Sequence, residues 1–183
     1  MSMECQNLFY THYKGKDGES SMDKRPYYVE GEGLRYDGDA PTSVVFYAKD
    51  AKTNDIIGLS YVCRSDDNRS ADLNLIKLRN HAYDHCGVAT TLLNVAENFA
   101  LQKLHANTMY LVCSPEQGYE EIVPNFYSRS GYLSFSALAM WQKRLSSETV
   151  KTKIDFDTIS ITQADSIQRD QIREFIDESL SKM

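Results

Sequence analysis

Long apolar runs are missing from this chain of 183 residues: nothing in it approaches the roughly 18 consecutive apolar residues that a membrane span needs. Its opening, MSMECQNLFYTHYKG, has no basic start leading into an apolar run, so no export signal is expected and the reading is a soluble, cytoplasmic protein. Cysteine is scarce as well. Cys5, Cys63, Cys86 and Cys113 stand far apart with no CxxC pair, which predicts free thiols in a reducing compartment rather than a disulfide framework. His81, His85 and Cys86 share one short loop, but no fourth ligand is signalled and no metal is expected. Positive charge is not in excess either. The formal net charge is −6, acid and base balance over residues 44 to 145, and the acidic surplus lies in the two flanks. This excludes a basic stripe for nucleic acid and is compatible with a cationic partner or with plain solubility.

What is present is an apolar fraction of 42%, enough for one globular domain with a real core. NLFYTHY, residues 7 to 13, alternates as a strand does. The glycine-punctuated stretch from residue 15 to 41 then shows neither helical nor strand period, and reads as a long loop with at most one short element at 27 to 30. SVVFYAK and DIIGLSYVCR, joined by DAKTN, predict a hairpin of antiparallel strands. In ADLNLIKL, residues 71 to 78, the apolar alternation slips by one near Leu75, the mark a β-bulge leaves.

After the loop RNHAYDHCG, Val88, Leu92, Val95 and Phe99 recur at helical spacing with small residues beside them, which predicts a buried helix through about Leu104. NTMYLVCS follows as a buried strand, so the order strand, helix, strand points to a right-handed parallel crossover. A short helix is expected around Pro124, capped by Gly131, and YLSFSALAMWQKRL reads as one bent or two short strands. The tail from Ser146 ends in an amphipathic stripe, Ile172, Phe175, Ile176 and Leu180, with Thr162 and Asp165 placed as a capping box.

Two local patterns in this order resemble the GNAT superfamily of acyl-CoA-dependent N-acyltransferases, over about residues 43 to 145. Asp84-His85-Cys86-Gly87-Val88-Ala89 matches the family's cofactor loop at Gly87 and Ala89, with Asp84 standing where the family has Arg or Gln. Phe126-Tyr127-Ser128-Arg129-Ser130-Gly131-Tyr132 is similar to its FYxxxGF segment, and Gly118 and Tyr119 stand where many members carry an Asn. The resemblance implies an α/β (α+β) fold with a mixed, mostly antiparallel sheet, a bulged strand and a parallel crossover. It implies one acyltransferase-like domain over 1–145, divided into an acceptor-side arm (1–43) and a cofactor-binding core (43–145), followed by a C-terminal extension (146–183).

Independently of the family, amides converging at a helix N-terminus attract a pyrophosphate, and small side chains at Gly87 and Ala89 let it approach. The cofactor expected from the resemblance is acetyl-CoA, held by Leu78, Arg79, His85, Cys86, Gly87, Val88, Ala89 and Thr90. Tyr127 matches the tyrosine that faces the cofactor sulfur, and a phenol can protonate a departing thiolate. Asp72 is the candidate base, on the strand where relatives place a glutamate, with Asn74 and His81 nearby. The expected reaction is acetyl transfer to a primary amine, either a small polyamine-like or amino-sugar-like molecule or a peptide Lys or N-terminus, by a monomer or homodimer that engages neither nucleic acid nor membrane. A cationic acceptor fits the acidic, tyrosine-rich arm with Tyr27, Tyr28, Glu30, Glu32, Asp37 and Asp39. The alternative is an inactive GNAT-like interaction module docking through its C-terminal helix, which the departures at Asp84 and Gly118-Tyr119 favour.

Overall fold

The computed structural model describes residues 9–10, 26–79, 83–115, 117–135, 139–163, 170 and 172–173. Its strands are β1 (Phe9–Tyr10), β2 (Pro26–Asp37), β3 (Ala40–Asp50), β4 (Ile56–Arg64), β5 (Ser70–Leu78), β6 (Thr108–Val112), β7 (Leu133–Ser134), β8 (Met140–Arg144) and β9 (Ile161–Gln163). They form one sheet in the order β1-β2-β3-β4-β5-β6-β8-β7, with β9 beside β2. β5–β6 and β2–β9 are parallel and the remaining pairs antiparallel.

The expected hairpin is present: Ser43 faces Cys63 and Phe46 faces Ser60 across β3 and β4. So is the bulge. Tyr61 pairs with Leu75 but Val62 with Leu73, leaving Asn74 as the extra residue. Leu73 therefore belongs to the core on one face of the sheet, Leu75 to the cluster on the other, and Ile76 and Leu78 return to the first. The chain beyond β5 forms α1 (Val88–Gln102), two residues short of the expected end, and returns as β6 parallel to β5. Apolar residues at helical spacing bury Val88, Leu92, Val95, Ala96 and Phe99 against Val44, Phe46, Ala71, Leu73 and Met109.

The loop expected over 15 to 41 is corrected where it is described, because residues 26 to 37 are strand. Tyr27 and Val29 do point inward, but Gly31 and Gly33 then interrupt the apolar alternation that sequence reading relies on. Gly31 is there for close approach: a Cβ would lie 2.9 Å from the Phe46 ring. β2 is hydrogen-bonded to β3 from Tyr27–Asp50 to Asp37–Ala40. Of the strand expected over 7 to 13, Phe9 and Tyr10 pair with Tyr27 and Pro26, and the rest lies outside the described residues.

Residues 146 to 163 lie against α1 and β2. Val150, Ile154, Phe156 and Ile159 join the main core, Phe156 touching both Phe46 and Phe99, and β9 pairs with Gly31–Gly33. The Asn98 amide on α1 donates to the Thr152 carbonyl (2.6 Å) and accepts from the Ile154 amide (3.1 Å), which fixes this return. Thr162 is a strand residue opposite Glu32, so it does not cap a helix, and Asp165 lies outside the described residues. Of the expected terminal helix, Asp170, Ile172 and Arg173 are helical, and Ile172 covers Val45, Tyr47 and Leu59 on the sheet face opposite α1. Phe175, Ile176 and Leu180 lie outside the described residues. No helix among the described residues is long and apolar enough to cross a membrane.

Candidate active site

Parallel pairing between β5 and β6 covers Ser70–Leu73 against Thr108–Leu111 and goes no further. Beyond that point Asn74 to Arg79 and Val112 to Pro115 line opposite walls of a cavity of about 1170 Å³. The bulge at Asn74 initiates this splay, since a bulge bends its strand and breaks the even ladder. Successive strand residues aim their backbone groups at alternate edges. The Arg79 amide bonds the Ile57 carbonyl on the β4 side at 3.0 Å, so Leu78 and Ile76 turn their amides and carbonyls to the β6 side, into the cavity. Of the two backbone positions expected to meet a cofactor, Leu78 faces the cavity and the Arg79 amide faces β4. The Arg79 guanidinium lines the wall while donating to the Ile56 carbonyl at 3.4 Å.

The glycine loop supplies the next wall. Gly87 caps α1 in the left-handed region, φ 87°, a conformation a side chain would strain. Its carbonyl accepts from the Thr91 amide at 2.9 Å, so the amides just after it have no intrahelical partners. Gly87, Ala89, Thr90 and His85 line the cavity. Cys86 and Val88 do not: both are buried side chains of the core, and Cys86 Sγ points back to the Asp84 carbonyl at 3.5 Å. They can contribute only backbone. His81 lies outside the described residues, and among those described no group of three His, Cys, Asp or Glu could hold a metal.

The third wall is α2 (Ile122–Arg129), which starts with Pro124 in its first turn, where the missing N–H costs nothing. It ends in a Schellman motif: Tyr132 N–H bonds the Tyr127 carbonyl, Gly131 N–H bonds the Ser128 carbonyl, and Gly131 has φ 90°. The ring of Tyr132 then meets Tyr127 edge-on at 5.7 Å, with Phe126 at 5.1 Å on its other neighbour position. Tyr127 is 8% exposed and lines the cavity beside Cys113. Burial, and next the nearby Cys113, raise its phenol well above the ordinary tyrosine range, so it stays protonated. Burial likewise pushes the Cys113 thiol up, which leaves it a poor nucleophile.

Asp72 sits on β5 just before the cavity wall begins, between Cys63 and Tyr110 in register, and its carboxylate accepts from Ser65 at 2.6 Å. It is not a cavity-lining residue. Asp84 is, and its carboxylate accepts the Tyr119 hydroxyl at 2.6 Å. The two positions at which the loop and the later segment depart from the GNAT pattern therefore contact each other. Burial and then Asp84 raise the Tyr119 phenol to about 12.

Sequence reading did not single out Lys77, Arg129 or Lys151 as cavity residues. With Arg79 and His85 they face one lining carboxylate among the described residues, Asp84, in a chain whose net charge is −6. The cavity is thus a basic site in an acidic protein. Lys151 comes from the segment after β8 and donates to the Arg129 carbonyl at the end of α2 (2.8 Å), a contact between residues 22 apart that no local pattern announces. Arg129 stood within the FYSRSGY segment and was the one legible signal.

No family model matches the chain, and no curated protein matches its sequence. Solved structures similar to it include an acetyltransferase of the GNAT family from Staphylococcus aureus Mu50, with 15% identity over 57% of this chain and 69% of that one and a TM-score of 0.49. Another is a variant of the spermidine N-acetyltransferase SpeG from Vibrio cholerae, at 18% identity, 60% and 68% coverage and a TM-score of 0.47. Nourseothricin acetyltransferase is similar at 17% identity, 76% and 88% coverage and a TM-score of 0.47. This chain's own sheet is mixed and mostly antiparallel, with a bulged β5 and a parallel β5-α1-β6 crossover, the fold expected from the resemblance of the glycine loop and the FYSRSGY segment.

Proposed function

We propose that the protein is an acyl-CoA-dependent N-acyltransferase, using acetyl-CoA to acetylate a primary amine. The observation that carries this reading is the cavity itself: basic, bounded by free helix-terminal amides at one wall, and reaching a buried phenol at another. A pyrophosphate fits at Gly87 to Thr90, where unpaired amides and the helix dipole attract an anion. The pantetheine arm fits along the edge of β5, whose Ile76 and Leu78 backbone groups pair with amides as a further strand would. The thioester then lies at Tyr127.

The amine nitrogen attacks the thioester carbonyl with its lone pair, the C–S bond breaks and a C–N bond forms. The nitrogen gives its surplus proton to solvent or to a carboxylate such as Asp72, and the departing thiolate takes one from Tyr127, which solvent replenishes. Residues 43 to 145 bind the donor in this reading, with Lys151 of the C-terminal extension completing the cavity wall.

Acetyl-CoA at a hundred times its Kd is expected to stabilise the protein by about 2.7 kcal/mol, or roughly 5–10 °C in Tm for a chain of this size. Thermal-shift titration with acetyl-CoA, CoA and unrelated nucleotides measures it. No shift at millimolar acetyl-CoA sinks the enzyme in favour of an interaction module.

Asp84 is compatible with an anionic donor because Tyr119 holds its carboxylate. Tyr119→Phe removes this donor from a carboxylate beside the pyrophosphate, so acetyl-CoA should bind about tenfold more weakly, the worth of one hydrogen bond to a charged group. Asp84→Asn added to Tyr119→Phe should restore the affinity. Calorimetric titration of the two variants decides: equal Kd values for both leave Asp84 irrelevant to the donor.

A further inference from the structure

The cavity passes through the sheet. Its lining includes Leu73, Ile76, Leu78 and Tyr127 on the α1 side, but also Leu75 and Lys77, which alternate to the other face, and Val112, which follows the core residue Leu111. Across that other face one row of neighbours runs Ser43, Cys63, Asp72, Tyr110, Gln142 and Leu133, by pairings from β3 to β7. Phe135, whose amide bonds the Met140 carbonyl, adds its ring to Tyr110 at 6.0 Å.

Tyr110 and the exposed Leu133 flank Gln142 in this row. Val112 is 63% exposed, Phe135 46% and Leu133 70%, and of these Val112 lines the cavity. Beside them Asp72, its carboxylate held by Ser65 at 2.6 Å, makes no ion pair among the described residues; Arg35 lies in the same row but on the far side of Cys63. A carboxylate next to aromatic faces and edges is a site for an ammonium ion, and a contiguous apolar patch is a site for a hydrocarbon group. Lys77, on the same face across the opening, opposes a second positive charge.

We propose that the acceptor is a primary amine with one positive charge on an apolar stem, its ammonium met by Asp72, which takes the surplus proton before the neutral nitrogen enters the splay, and its stem lying on Tyr110, Val112, Phe135 and Leu133. This rests on the acyl-transfer reading and narrows it: a polyamine, with several charges and no apolar body, does not match the patch. Donor and acceptor would meet at the splay from opposite faces of the sheet, each on a surface of the opposite charge.

The experiment is steady-state acetylation at saturating acetyl-CoA, with phenethylamine, ethylamine and spermidine as probes. Phenethylamine should exceed both others in kcat/KM by about tenfold or more, the discrimination an apolar pocket provides. Phe135→Ala and Val112→Ser, both at exposed positions, should each lose several-fold more on phenethylamine than on ethylamine. Asp72→Asn should raise KM for both. Preference for spermidine, or equal losses on all three amines, overturns the inference. So does binding of acetyl-CoA, seen by thermal shift, with no acetylation of any probe, an outcome that leaves the donor site standing. Absence of acetyl-CoA binding instead removes the acyl-transfer reading beneath it.

Discussion

Replacing Tyr127 by Phe should lower kcat about a hundredfold, the lower end of what a positioned general acid contributes, while the Kd for acetyl-CoA changes less than threefold. The ring contacts that seat it, to Phe126 at 5.1 Å and Tyr132 at 5.7 Å, survive the change, so the missing oxygen is the whole perturbation. The sign of the pH dependence follows from burial, which raises the phenol's pKa and keeps its proton throughout the neutral range. The ratio of wild-type to variant kcat should therefore be flat from about pH 6 to 9. Rate itself should rise with pH as the acceptor amine loses its proton. Equal turnover in the variant removes Tyr127 from the chemistry, and a parallel loss of donor affinity reduces it to a packing residue.

The second large effect concerns stability. Glu97 of α1 and Lys143 of β8 form an ion pair with both carboxylate oxygens 2.8 Å from the ammonium, their side chains 1% and 5% exposed. Lys143 also lies over the Tyr132 ring at 5.6 Å, and the Tyr132 hydroxyl reaches Met109 Sδ at 3.0 Å. The pair thus ties the crossover helix, the far strand and the cap of α2 into one unit behind Tyr127. Removing one partner leaves a buried charge without its counter-ion, a loss of about 3–5 kcal/mol. For a chain of this length that is roughly 10 °C in Tm, expected for Lys143→Met or Glu97→Leu alone. The double replacement should lose much less than the two singles together, because an apolar pair restores burial without a desolvated charge. Additive losses would show that the two residues act separately.

Some of this was legible from local pattern. The slip at Leu75 announced the bulge that Asn74 makes, since side chains alternate with period two and one extra residue inverts the phase. Gly131 announced the cap that ends α2, left-handed backbone that a Cβ disfavours. β2 was missed because Gly31 and Gly33 carry no side chain to show the alternation, although both are buried. Thr162 misled in the other direction: a threonine three residues before an aspartate fits a helix cap, yet pairing with β2 overrode it.

Local pattern therefore carries the order of elements from β3 to β8, the bulge, the crossover and the glycine loop, all of which follow from spacings of two to four residues along one chain. The charge of the cavity arises only on folding, where Lys77 and Arg79 at the end of β5, Arg129 of α2 and Lys151 beyond β8 converge. Only the tertiary structure paired Asp84 with Tyr119, and Glu97 with Lys143. Such contacts join residues 22 to 46 positions apart, and their energy depends on register and on where the folded chain excludes water. Neither is written in any local period.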